Sequence, residues 1–172
     1  HGKVLDEIYV PLQPKPQDFE KVVKRIKQTA PDVIFSTVVG QGTAAFYEAY
    51  RAAGFDPAKM PIASLTTSEA EVAQMHREAA EGHITAAPFF DVLATPSARR
   101  FVTAYRDRHG SEAPVSASAE AAYFQAHIAA RALARAGSDD PEQLLPRLRG
   151  AEFDAPQGRV RIDPSNNHTF LW

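Results

Sequence analysis

The chain has 172 residues, 44% of them apolar, and its 19 basic and 21 acidic residues leave a formal net charge of −2. That length fits one domain or one and a half with an ample core; the intermixed charge argues against a nucleic-acid surface, and the lack of cysteine removes disulfides, thiolate metal sites and cysteine nucleophiles. No apolar run is long enough to span a bilayer, and the start at His1, without an initiator Met, reads as a processed or truncated piece with room upstream for an export signal.

Val4 to Leu12 is β-rich and runs into Pro11, Pro14 and Pro16, which predicts a strand followed by an extended loop. Asp18 to Ala30 is predicted as a helix, because Phe19, Val22, Val23 and Ile26 fall at i, i+3, i+4 and i+7. Asp32 to Val39 is a continuous apolar run, the pattern of a strand buried on both faces. Gly40-Gln41-Gly42-Thr43 follows, then a helix to Ala53 with Phe46, Ala49, Tyr50 and Ala53 on its inner side, stopped by Gly54.

Met60 to Leu65 predicts the next strand, and Ile62 to Ala73 as a whole reads as strand, tight turn and helix start. Ser68 and Glu71 have capping-box spacing, and so do Thr66 and Glu69, so the helix start is open by two residues. The helix ends before Gly82, and His83 to Phe90 is a fourth predicted strand. Four strands alternating with three helices imply a parallel sheet with helices on both faces. Ligands of such sheets sit beyond the carboxyl ends of the strands. The plainer reading of the hydroxyls at residues 66 to 68 is that they only cap the helix.

After Phe90 the pattern changes. A linker at residues 91–97 precedes helices at Ser97 to His109, Ser118 to Ala136 and Pro141 to Arg149, the last carrying Pro146. Their apolar faces (Phe101, Ala104 and Tyr105; Tyr123, Phe124, Ile128 and Leu133) have no predicted sheet of their own to cover, which points to a partner lobe that is mostly missing. Gly158 to Asp163 alternates as a strand, Pro164 to Asn167 makes a turn, and Thr169 to Trp172 begins another strand.

Motifs for chemistry are sparse. Gly40-Gln41-Gly42 lacks the third glycine of a dinucleotide fingerprint and the lysine of a phosphate loop, so its glycines are expected to act sterically. The six histidines show no ligand spacing, no nucleophile elbow surrounds Ser116 or Ser118, and Asp163 with Asn166 and Asn167 lacks the spacing of a calcium loop. Asn167-His168-Thr169 fits a glycosylation sequon, a three-residue match of little weight. With no catalytic group, cofactor site or metal site, the expectation is a binding protein and not an enzyme.

Val4-Leu5-Asp6-Glu7-Ile8-Tyr9, Phe35-Ser36-Thr37-Val38-Val39-Gly40, Ile62 to Ala73, Ala87-Pro88-Phe89-Phe90, Ala119-Glu120-Ala121-Ala122-Tyr123, Asp154-Ala155-Pro156-Gln157-Gly158 and Asn166-Asn167-His168 carry a resemblance over nearly the whole chain. Together they resemble the type I periplasmic-binding fold of the branched-chain amino-acid and urea receptors of ABC transporters, and more closely the amide-sensing negative regulator of bacterial aliphatic amidase operons. The resemblance implies an α/β chain. Residues 1–92 would form the Rossmann-like, parallel-sheet second lobe, 93–157 the helices of the first lobe, and 158–172 a hinge crossing with a returning strand. It implies ligand contacts at Val39, as apolar wall, and at Thr66, as polar contact; Gly40 and Thr67 are added as their neighbours.

The implied ligand is a small neutral amide or urea-like molecule, for which hydroxyls and backbone groups suffice and a buried carboxylate would be costly. A buried amide without partners loses about 1–3 kcal/mol, enough to discriminate. On this view Glu69 caps the helix, whereas an amino-acid receptor could turn it toward an ammonium. The regulator would be cytoplasmic and would release an antitermination regulator protein on cleft closure; the alternative, a periplasmic receptor, would dock an ABC transporter permease. Either could be a homo-oligomer, and neither would bind nucleic acid directly or insert in a membrane. A hydrolase or transferase fragment and a ligand-free interaction module are the readings from other classes.

Overall fold

A computed structural model of the chain describes residues 2–165 and 168–171. The chain divides into two compact units between Ala87 and Pro88.

In the first unit, α1 (Pro16–Thr29), β1 (Ile34–Ser36), α2 (Gln41–Ala52), β2 (Ile62–Ser64), α3 (Glu69–Val72), α4 (Arg77–Ala80) and β3 (Ile84–Thr85) follow one another. The three strands form a parallel sheet in the order β1-β2-β3. Helix α1 starts at Pro16, whose fixed φ suits a first turn, and the Asp18 carboxylate accepts from the Lys15 N–H at 2.9 Å. Phe19, Val22 and Ile26 of α1 join Phe46, Tyr47 and Tyr50 of α2, Ile62 of β2 and Ala79 of α4 in one core, with Phe19 stacked on Phe46 at 5.7 Å between ring centres.

Because these helices share a single core, only one face of the sheet is covered by them. The expectation that Asp32 to Val39 is buried on both faces is therefore corrected: Phe35 is 64% exposed, and it shares a row with Ala63 and the exposed Ile84. Val4 to Leu12 is likewise no strand. It joins no ladder among the described residues, and Val4, Tyr9 and Leu12 stand exposed. Residue preference for extended backbone makes a strand only where a neighbour supplies the hydrogen bonds. Asp6 is instead held by an ion pair with Arg25 of α1. The helix expected to run from Ser68 toward Gly82 is broken into α3 and α4, the break fixed by Glu48 of α2, which accepts from the His76 N–H at 2.8 Å and also meets its Nδ1 at 2.8 Å. The strand expected at His83 to Phe90 shrinks to Ile84–Thr85.

The second unit holds α5 (Pro96–His109), α6 (Ala117–Ala136), α7 (Pro141–Leu148), β4 (Glu152–Ala155), β5 (Gly158–Ile162) and β6 (Thr169–Leu171). Thr95 and Ser116 cap α5 and α6 by accepting from Ala98 N–H and Ala119 N–H, and Gly137 ends α6 in the left-handed region. Helix α7 accommodates Pro146 within its eight residues.

The helices do have a sheet. β4, β5 and β6 form an antiparallel meander, and Phe124 and Ile128 of α6 bury against Phe153, Ala155 and Val160. This corrects the expectation of uncovered helical faces for Phe124 and Ile128, while Tyr123 and Leu133 of the same predicted face stay exposed. The sequence Glu-Phe-Asp-Ala of β4, before Pro156, carries no predicted element, yet Phe153 and Ala155 alternate inward. On α5 the buried residues are Ala98, Phe101 and Val102, with Ala104 exposed. Asn166, Asn167 and Trp172 lie outside the described residues, and with them the expected turn, sequon and strand end at those positions; Asp163 Oδ1 accepts from the Ser165 N–H at 2.7 Å.

Candidate functional site

The register of β1 on β2 pairs Ser36 with Ser64, so the chain leaves both strands at the same level and in the same direction. Val38 and Thr66 therefore meet: the Thr66 hydroxyl donates to the Val38 carbonyl at 2.8 Å. Thr43, in the first turn of α2, donates to the same carbonyl at 2.9 Å. This places Val39 and Thr66, named from the sequence, side by side at the carboxyl edge of a parallel sheet.

The hydroxyls beneath this edge form a directed row. Thr67 Oγ1 donates to Ser64 Oγ at 3.0 Å, and Thr66 N–H donates to the same oxygen at 3.1 Å. Each hydroxyl carries one proton. Thr66 uses its own on Val38, so at the 3.2 Å contact between Ser64 Oγ and Thr66 Oγ1 the donor is Ser64. Thr67 uses its own on Ser64, so at the 3.1 Å contact with Tyr47 the phenol donates. The proton order runs Tyr47 to Thr67 to Ser64 to Thr66 to the Val38 carbonyl. The Tyr47 phenol is protonated at neutral pH and so can donate, and burial pushes it higher still. Thr85 of β3 donates to the Thr67 carbonyl at 2.7 Å and fixes the turn from the other side.

The four predicted contact residues do not stand alike. Val39 is 46% exposed and Thr66 half-buried, whereas Thr67, at 5% exposure, lies under the rim holding Tyr47 and Ser64. Gly40 is exposed and caps α2 with φ +61° and ψ −142°, a conformation that strains any side chain. Leu65, 60% exposed, adds apolar surface beside them. Gly42 is needed for packing: a Cβ there would lie 2.9 Å from Pro14 Cγ and 3.0 Å from Val38 Cγ1.

Ser68 is the helix cap, not Thr66. The Glu71 carboxylate accepts from the Ser68 N–H at 2.8 Å and from its hydroxyl at 2.5 Å, while Ser68 Oγ accepts from Ala70 N–H at 3.3 Å. The cap thus leaves the Thr66 and Thr67 side chains to the sheet edge, and Glu69 sits in the first turn of α3.

Tyr47, Ser64, Thr43 and Thr85 belong to this arrangement and were not among the residues named from the sequence. A signal existed for two of them: Tyr47 lies three residues before Tyr50 on the inner face of α2, and Ser64 ends an apolar run where a buried hydroxyl needs a partner.

In the second unit, Glu120 of α6 is 0% exposed. Its Oε1 accepts from the Gln157 N–H at 3.2 Å, and its Oε2 has no hydrogen-bond partner among the described residues. Burial pushes its carboxyl up to about 7, only partly offset by the Gln157 N–H. No group of three or more metal-ligating side chains occurs among the described residues, nor any helix long and apolar enough to cross a membrane.

A family model described as "Periplasmic binding protein domain" matches residues 1–172. Among relatives, Leu/Ile/Val-binding protein homolog 6 of Brucella melitensis biotype 1 is 27% identical over 171 residues, covering 97% of this chain and 43% of that protein. The fold matches a solute-binding protein of an ABC transporter from Rhodopseudomonas palustris HaA2, solved with p-hydroxybenzoic acid, at TM-score 0.84 and 23% identity over 99% of this chain and 46% of the other. A leucine-binding protein from Thermotoga maritima MSB8 matches at TM-score 0.68 and 20% identity, covering 88% and 43%. The chain thus spans less than half the length of the relatives it matches.

Proposed function

The chain belongs to the periplasmic binding protein domain family, and from that premise we propose that it is the part of an ABC-transporter solute receptor that supplies one wall of the solute site, at the carboxyl ends of β1 and β2. The observation that carries this reading is the Thr66–Val38 bond, which sets the half-buried hydroxyl of Thr66 beside exposed Val39 and Gly40. Its action is binding, without catalysis.

The proton order limits what the wall can recognise. Thr66 has used its proton internally, so toward a solute it offers a lone pair, while Thr67 is buried beneath it. A solute that leaves the Thr66–Val38 bond in place brings the donor: the NH2 of a short amide or urea, the ammonium of an amino acid, or the hydroxyl of a phenol. Val39 and Leu65 suit a small apolar body behind that donor. The relatives named for leucine, isoleucine and valine and the neighbour solved with p-hydroxybenzoic acid bind molecules of this description.

The role as a periplasmic receptor with a permease partner is preferred to the cytoplasmic amide sensor with an antitermination partner. The first has the family and the named relatives behind it; the second rests on local residue resemblance. The test is calorimetry of the complete gene product with leucine, butyramide, urea and 4-hydroxybenzoate. Saturable heat with one of the four, weakened by Thr66→Val, is expected. No heat with any of them would overturn the reading.

A further inference from the structure

His83 precedes β3 and reaches back to β2, where its Nδ1 accepts the Ile62 N–H at 3.0 Å. Its ring meets Tyr47 edge-on at 4.8 Å and Tyr50 edge-on at 4.9 Å between centres. Both rings are tethered in turn. The Tyr50 hydroxyl donates to the Met60 carbonyl at 2.7 Å, just ahead of β2, and the Tyr47 hydroxyl heads the proton row that ends at Val38. One imidazole therefore touches the start of the strand whose end carries Ser64 and Thr66, and also the phenol that orders them.

We propose that His83 is a positioning residue for the rim of β1 and β2, an acid-sensitive pin that holds Thr66 and Thr67 in place only while its Nδ1 is bare. The consequence for solute rests on the reading of this rim as the solute wall; the pin itself does not.

An accepting Nδ1 carries no proton, so the ring proton is on Nε2. A second proton would set an N–H of His83 against the N–H of Ile62, and that bond must break. The groups facing the ring are the Tyr47 and Tyr50 phenols from α2, the Ile62 N–H from β2 and the Ala79 backbone from α4; Asp56, on the loop before β2, acts on Tyr50. The Ala79 backbone bond favours the charged ring, but burial is the larger influence and holds its pKa below the ordinary 6.5. A depressed histidine favours the closed arrangement fully above 6.5 and loses that advantage as pH falls from there toward its lowered value.

The test uses the chain without solute. Nitrogen-15 spectra of the imidazole and amide exchange of Ile62, Thr66 and Thr67, corrected for intrinsic rates, are followed from pH 7.5 to 5. We expect Nδ1 to be bare at pH 7.5. Protection at all three amides should fall with His83 titration, by no more than about tenfold per pH unit. His83→Asn, whose Oδ1 replaces the acceptor without titrating, should flatten the profile. A protonated Nδ1 at pH 7.5, or loss of protection at Ile62 with Thr66 and Thr67 unmoved, overturns the proposal. So does the same fall in His83→Asn; should that variant not fold, the wild-type traces decide. Since no solute enters, failed calorimetry would count against the solute wall and not against the pin.

Discussion

The carboxyl of Glu120 and the peptide N–H of Gln157, 37 residues apart in sequence, meet at 3.2 Å inside the second unit. The bond ties the first turn of α6 to the turn between β4 and β5, and it joins two of the segments that carry the family resemblance. A buried charged carboxylate, with one oxygen unpartnered among the described residues, is costly in that place, so the acid form is favoured on folding.

The pH dependence follows from that preference. The group is raised from 4.5 to about 7 in the folded unit, so its stabilisation is complete below 4.5 and is lost as pH rises to about 7. A shift of that size corresponds to about 3 kcal/mol at most. Urea unfolding followed through the α6 amides should show greater stability at pH 5 than at pH 8, and Glu120→Gln should remove the Glu120 share of that slope. An unchanged slope in the variant would exclude Glu120 as its source.

Thr66→Val tests the rim. Val38 keeps the Thr43 donor, so no carbonyl is orphaned, but two neutral hydrogen bonds go, the one to Val38 and the one from buried Ser64, at a cost to the fold of about 1–3 kcal/mol. Solute affinity should drop about tenfold for the loss of one acceptor contact. Calorimetry and thermal denaturation on the same sample separate the two effects.

Tyr47→Phe removes the head of the proton row while keeping the ring. Thr67 then lacks a buried donor, and destabilisation of about 1–2 kcal/mol is expected, with faster amide exchange at Thr67. If exchange rises uniformly over the first unit, the phenol stabilises the whole unit and not the rim in particular.

Gly42→Ala sets two effects against each other. Alanine gains at most about 1 kcal/mol of helix propensity, and less in a first turn. The added carbon meets Pro14 and Val38 at 2.9 and 3.0 Å, and such overpacking costs about 1–3 kcal/mol. Net destabilisation is expected, read as a lower urea midpoint.

Much of the local structure was legible because it depends on spacings within one turn. The stripe Phe19, Val22 and Ile26 defines α1, and Ser68 with Glu71 defines the start of α3. Val4 to Leu12 misled because extended backbone needs a neighbour that composition does not reveal. β4 was hidden beside Pro156, and Glu120 looked like one more polar residue in an alanine-rich helix. The rim was half legible. Strand ends locate Val39 and Thr66, but the register that joins Thr66 to Val38 and Tyr47 to Thr67 is a tertiary property, spanning 28 and 20 residues.

The single direction of the hydroxyl row makes it behave as one electrical object. Its polarity cannot be reversed at one link without reversing every link, because each oxygen that stops accepting must find another use for its neighbour's proton. A guest presenting an acceptor to Thr66 would only swing the last proton of the file off the Val38 carbonyl, which keeps the Thr43 donor, and every earlier link would stand as it is. The buried phenol of Tyr47 thus fixes the supply of protons up to Ser64, and the terminal hydroxyl of Thr66 alone is left to turn toward a guest.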